Sequence, residues 1–151
     1  MRRFGETPKR GQSYGVRHGA YAVLIRDGEV LLTLQDGPEP EYQLPGGGID
    51  AGESPVQALH REVFEETGWA ISRPVRLGAY RRFTYMPDYD RWAEKICTIY
   101  TARPVLKRGE PAEIDHRAIW TSPEQAMKLV LNMGDRHFLM HLMNRRYALR
   151  A

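Results

Sequence analysis

Residues 47–68 read GGIDAGESPVQALHREVFEETG. The stretch combines a glycine turn, a helix start and glutamates at fixed offsets. Glu62, Glu65 and Glu66 stand at i, i+3 and i+4, and on a helix these positions share one face. Three carboxylates on one face, with no lysine between them, repel unless something positive sits there. A hard divalent cation such as Mg²⁺ takes oxygen ligands of this kind.

The helix has a start and a stop. Ser54 is a favoured N-cap, Pro55 suits the first helical position, and Gln57 completes a Ser-x-x-Gln capping box. Val56, Leu59 and Val63 predict an apolar face toward a core. Gly68 ends the helix as a C-cap glycine does. Arg61 can pair with Glu65 at i, i+4, and its long side chain can fold back to Glu53, holding the glycine loop against the helix.

Gly47, Glu53, Arg61, Glu62, Val63, Glu65, Glu66 and Gly68 fill the pattern G-x5-E-x7-R-E-U-x-E-E-x-G-U. In this the chain resembles the Nudix hydrolases. The last position departs from the family: Trp69 stands where an aliphatic residue is usual, which touches only packing after the helix. The resemblance takes in the LPGGG lead-in and the IWTSPEQA stretch, so it spans roughly residues 17–131. It implies an α/β/α sandwich with a mixed sheet between helices. It implies Mg²⁺, or Mn²⁺, on Glu62, Glu65, Glu66 and the carbonyl of Gly46. It also implies hydrolysis of a pyrophosphate linkage in a nucleoside diphosphate derivative.

In the family the base that deprotonates water is a box glutamate or an acid from a later loop. Here Glu110, Glu113 and Asp115 are the loop candidates, and Glu113 is carried with the box glutamates as a candidate catalytic residue. Gly47, Glu53, Arg61 and Gly68 read as the structural brace of the box. Tyr85 resembles the tyrosine of the family's dinucleoside polyphosphate hydrolases. No proline of the kind ADP-ribose pyrophosphatases carry occurs before Pro87. The lean is therefore to dinucleoside polyphosphates, with Arg81, Phe83 and Tyr85 as candidate substrate-binding residues. The alternatives are an oxidised-nucleotide or RNA 5′ pyrophosphohydrolase, a non-catalytic nucleotide- or RNA-binding regulator on the same scaffold, and a merely solvated acidic helix.

The 151 residues suit one domain, residues 1–151, with a core at about 17–131, a tail at 1–15 and a C-terminal helix at about 135–149. The net charge of +3 gathers in Arg2, Arg3, Lys9 and Arg10, in Arg81–Arg82, and in Arg136, Arg145, Arg146 and Arg150. A nucleotide is the expected partner, RNA a lesser one. Cys97 is the single cysteine and reads as a buried thiol, which excludes an intrachain disulfide. No stretch has the length of a membrane span. The N-terminus lacks the apolar core of a secretory signal, so a cytoplasmic location is expected.

Strands are expected at 17–26, 29–35, 42–44, 74–86, 94–103 and 114–120, with a hairpin turn at Asp27-Gly28. Residues 1–15 and 104–113 and the three glycines 46–48 read as loop. Ser122-Pro123-Glu124 starts a second helix. His137 and His141 stand at a spacing that can bind zinc. Without a third ligand they read as a surface pair.

Overall fold

The computed structural model describes residues 1–150, and side chains to Arg146. Ala151 and the side chain of Arg150, counted above with the basic residues, lie outside the described part. Among the described residues eight strands and three α-helices follow in chain order: β1 Arg2–Arg3, β2 Gly15–Arg26, β3 Glu29–Gln35, β4 Glu41–Gln43, β5 Gly46–Gly48, α1 Pro55–Thr67, β6 Trp69–Met86, β7 Arg91–Lys107, β8 His116–Thr121, α2 Pro123–Leu129 and α3 Met133–Arg150, with a short 3-10 turn at Pro87–Tyr89 between β6 and β7.

The sheet is mixed. Its order is β1-β6-β7-β2-β3-β4, with β5 on β2 and β8 on β3. β2 runs parallel to β7 from Gly15↔Ala93 to Leu24↔Ala102, while β6 and β7 form a long antiparallel hairpin. β2 and β3 pair only at their shared turn, Ile25↔Val30 and Arg26↔Glu29. The N-terminal half of β2 is thereby left to pair β5 across Gly19↔Gly48 and Tyr21↔Gly46.

The period-2 alternation of the strands sorts their side chains onto two faces. Ala20, Ala22 and Leu24 of β2 and Leu31 of β3 pack with Leu59 and Val63 of α1. Val23, Val30 and Leu32 pack with Ala126, Phe138, Leu139, Leu142 and Met143 of α2 and α3. This is an α/β/α arrangement. Among the described residues no helix is long and apolar enough to cross a membrane.

Several elements depart from the expectation. The glycines 46–48 form a strand, because β2 offers them a free edge. The tail is tied down as well: Arg2 and Arg3 pair in parallel with Tyr80 and Arg81, and the Phe4 ring lies 5.6 Å from Tyr80. The strand after α1 begins at Trp69, and β7 continues to Lys107. Val56 is exposed although it keeps the helical period, since α1 buries side chains only from Ala58 onward. His137 packs its ring against Phe4 at 5.3 Å, and among the described residues no ligand group forms around it and His141.

Candidate functional site

α1 is set by local chemistry. The Ser54 hydroxyl accepts from Gln57 N–H at 3.1 Å, and Gln57 Oε1 accepts from Ser54 N–H at 2.8 Å. Gly68 closes the helix with φ +74. A Cβ there would lie 1.9 Å from the Gly109 carbonyl, so a glycine is what lets residues 108–115 cross the helix end. That loop is pinned further by Arg108 N–H to Gly68 O at 2.8 Å and by Ala112 N–H to Glu65 O at 2.7 Å.

The pinned loop carries Glu113 to the carboxylates of α1. Ligand oxygens of Glu62, Glu65 and Glu113 lie within 4.8 Å of one another. So do those of Glu66 and Glu113 with a ring nitrogen of His116. Glu110 is exposed and paired with Lys107, the backbone carbonyl of Asp115 accepts from Asp36 N–H, and among the described residues neither acid belongs to a ligand grouping. His116, expected from the sequence only as part of a strand, joins the cluster unforeseen. Its one signal in the sequence is its place three residues after Glu113.

Arg61 supplies part of the positive charge that the sequence demanded of a cation. Its Nε and Nη2 each donate to Glu53 at 2.8 Å, Nη2 to the Gly48 carbonyl at 3.0 Å, and Nη1 to Glu62 at 2.8 Å and Glu65 at 3.3 Å. The Glu53 carboxyl is brought down to about 2, first by its hydrogen bond with Arg61 and then by the Asp50 N–H. Arg61→Ala would leave Glu53, Glu62 and Glu65 without this partner. A fall of about 5 °C in melting temperature together with lost activity is expected. An unchanged melting temperature with activity gone would give Arg61 a direct part in the reaction.

Glu66 is outside Arg61's reach. It is 5 % exposed, and its Oε2 accepts from Gly46 N–H at 3.0 Å. Burial is the largest cause holding its carboxyl well above the usual range, and Glu62, Glu113 and Glu65 add to it. Glu62 is raised as well, chiefly by burial, against the pull of Arg61. A carboxyl raised on folding adds stability below its unfolded value of about 4.3, and this is lost as pH rises through the folded value. Without divalent ions, Glu66→Gln should therefore melt above the wild type at neutral pH. The gap should close on acidification toward about pH 4. A constant gap across a melting series in EDTA would contradict this.

A polar pocket of about 270 Å³ has no cluster carboxylate in its lining and meets the cluster's surroundings at Tyr21, the register partner of Gly46. Tyr21, Arg82, Lys95, Asn132 and Asp135 line it, with Tyr85 at the hairpin end. Tyr21 joins pocket and cluster: burial first, then Cys97, Asp135 and Glu66, push its phenol up. Asp135 is buried and accepts from Tyr80 Oη at 2.6 Å; burial pushes its carboxyl up and the Lys95 ammonium down. Arg82 and Lys95 are register partners, which puts both on the pocket face.

Arg81 and Phe83 belong to the other face. Arg81 pairs with Glu94 at 3.5 Å. Phe83 meets Tyr14 with ring centres 4.9 Å apart. Tyr85 donates its hydroxyl to Asp90 and lies 5.3 Å from the Trp92 ring. The structure thus brings Glu62, Glu65, Glu66, Glu113, Gly46 and Gly47 together, and sets Tyr85 at a separate rim.

Residues 16–142 match the NUDIX domain. A Bacillus subtilis protein provisionally named an 8-oxo-dGTP diphosphatase is 34 % identical over 64 residues, which is 42 % of this chain and 43 % of that protein. An RNA pyrophosphohydrolase of Halorhodospira halophila is 44 % identical over 57 residues, 38 % of this chain and 31 % of that one. The chain thus spans less than half the length of these curated relatives. A MutT NUDIX hydrolase structure from Burkholderia pseudomallei superposes with TM-score 0.64 at 26 % identity, covering 83 % of this chain and 96 % of that one. A NUDIX hydrolase from Nitrosomonas europaea gives 0.66 at 22 %, covering 87 % and 88 %.

Proposed function

Since this chain belongs to the NUDIX family, we propose that it is a pyrophosphohydrolase that uses a divalent ion, Mg²⁺ first, to cleave a nucleoside polyphosphate derivative. The reading is carried by buried Glu66 standing beside Glu62, Glu65 and Glu113 with no arginine of its own. The donors are carboxylate oxygens, which fit a hard cation. When bound, the ion neutralises charge developing on the phosphate oxygens and lowers the pKa of an attacking water.

The protein's own groups do the rest. Gly46 N–H fixes Glu66, and the carbonyl of Gly46 is the further ligand that the family implies. Arg61, braced between Glu53 and Glu62, keeps the glycine strand against α1. Glu113, carried in by the loop, is the acid placed to take the proton of water. Arg82 and Lys95 give the neighbouring pocket the positive charge an anionic substrate needs. Asn132 and Asp135 offer the acceptors and donors that a base edge requires.

The finer reading is a dinucleoside polyphosphate, for which Tyr85 at the pocket rim, 39 % exposed, supplies a ring for the second base. RNA 5′ ends are the second reading. Tyr14, Phe83, Tyr85 and Trp92 form a continuous aromatic surface with Lys9 4.4 Å above Trp92, the combination that binds single strands.

The test is turnover with Mg²⁺ of a dinucleoside tetraphosphate, of 8-oxo-dGTP and of triphosphate-ended RNA, in wild type and Tyr85→Ala. Base–aromatic stacking is worth about 1–3 kcal/mol. KM for the dinucleotide should therefore rise about tenfold in Tyr85→Ala, at about 1.4 kcal/mol per decade, with kcat little changed. An unchanged KM removes the dinucleotide preference, and no turnover of any substrate sinks the enzyme reading.

A further inference from the structure

Among the oxygen donors of this cluster stands one nitrogen donor. His116 opens β8 with its side chain 11 % exposed; Nε2 lies 3.5 Å from Glu66 Oε1, and Nδ1 lies 2.7 Å from Glu113 Oε2. Nδ1 is shut off from solvent, yet its contact with Glu113 lacks the angle of a hydrogen bond. The ring therefore sits between two carboxylates without a settled partner. Glu66, Glu113 and His116 form a second ligand grouping, which shares Glu113 with that of Glu62, Glu65 and Glu113.

In a carboxylate–histidine–metal relay one ring nitrogen binds the ion and the other donates to a carboxylate; here Glu113 Oε2 stands 2.7 Å from Nδ1, within reach of that bond but outside its angle. Two donors at about 2.0–2.2 Å from a common zinc-like ion stand apart by a span that accommodates the Nε2–Oε1 separation. Mg²⁺ takes oxygen donors and several waters, whereas an imidazole donor favours first-row transition dications, with affinity rising from Mn²⁺ through Co²⁺ and imidazole suiting Zn²⁺ well.

We propose that His116 Nε2 and Glu66 Oε1 are ligands of a second cation position, with Glu113 orienting the imidazole. This position favours a transition-metal dication over Mg²⁺. The inference rests on the pyrophosphohydrolase reading of the same glutamates and adds to it a metal choice that carboxylates alone do not make. A histidine that only ion-pairs with Glu66 and Glu113 would contact no metal.

The experiment loads the purified full chain with Mn²⁺ alone and records pulsed electron paramagnetic resonance. The wild type should show ¹⁴N coupling from an imidazole nitrogen, and His116→Gln should lose it while keeping its circular dichroism spectrum. In parallel titrations His116→Gln should bind Mn²⁺ and Co²⁺ at least about tenfold more weakly, with Mg²⁺ affinity changed less than about twofold. Bound Mn²⁺ without nitrogen coupling in the wild type overturns the inference and leaves the pyrophosphohydrolase reading intact. Equal weakening for Mg²⁺ and Mn²⁺ in His116→Gln also overturns it, since His116 would then only position Glu66. A wild type that binds no divalent ion overturns both. The wild-type spectrum tests the nitrogen ligand even if His116→Gln fails to fold.

Discussion

Glu66→Gln is expected to lower kcat by about three orders of magnitude. Metal ions contribute several kcal/mol of charge stabilisation in the transition state, and about 1.4 kcal/mol is one decade of rate. Glutamine keeps the size and one carbonyl oxygen, so the Gly46 N–H still has an acceptor and the fold is retained. Only the charge is lost, at the carboxylate that is buried at 5 % exposure and has no arginine against it. Glu65→Gln should cost less, because Glu65 is 37 % exposed at its side chain and already shared with Arg61. The check is steady-state kinetics with Mg²⁺ on whichever substrate the wild type turns over best. A folded Glu66→Gln protein with wild-type kcat would remove Glu66 from the chemistry.

What the sequence made legible was what one helix carries. The Ser54–Gln57 box, Pro55 and the left-handed Gly68 are local, and Glu62, Glu65 and Glu66 share a face by period alone. Long-range pairing was not legible. Whether the glycines 46–48 are loop or strand depends on β2 leaving them an edge, and whether Arg2–Arg3 pair depends on β6. Arg81 and Arg82 are indistinguishable neighbours in the sequence, and only Arg82 lines the pocket, because a shift of one residue along a strand changes the face. Tyr21, Arg82, Lys95 and Asp135 come from four elements with no common spacing. Glu113 was one of three loop acids. From the sequence it is carried with the box glutamates, but what brings it to them is the docking of that loop on the end of α1, a tertiary event.

The largest stability loss is expected for Gly46→Ala, with a melting temperature about 10 °C lower. Gly46 has φ +143, and a Cβ there would lie 2.2 Å from the Ala20 carbonyl oxygen and 2.5 Å from Tyr21 Cα. Both neighbours are backbone, so β5 can make room only by parting from β2. Left-handed strain costs about 1–3 kcal/mol and overpacking a similar amount; a chain of this size loses about 2–4 °C per kcal/mol. The same shift carries away the N–H that fixes Glu66, so activity should fall with stability. The two adjacent glycines make the controls. At Gly47 the new Cβ would meet the Glu62 carboxyl at 2.4 Å, the end of a side chain that can swing aside. Gly47→Ala should therefore lose activity with a much smaller drop in melting temperature. At Gly48 it would meet only Arg17 Nη2 at 3.8 Å, an ordinary contact, and Gly48→Ala should melt within a few degrees of wild type, since it loses no contact of this kind. Thermal scans and kinetics on the three alanine variants read the order directly. If Gly48→Ala proved as damaging as Gly46→Ala, the tight pairing of β5 on β2 would not be what holds Glu66 in place.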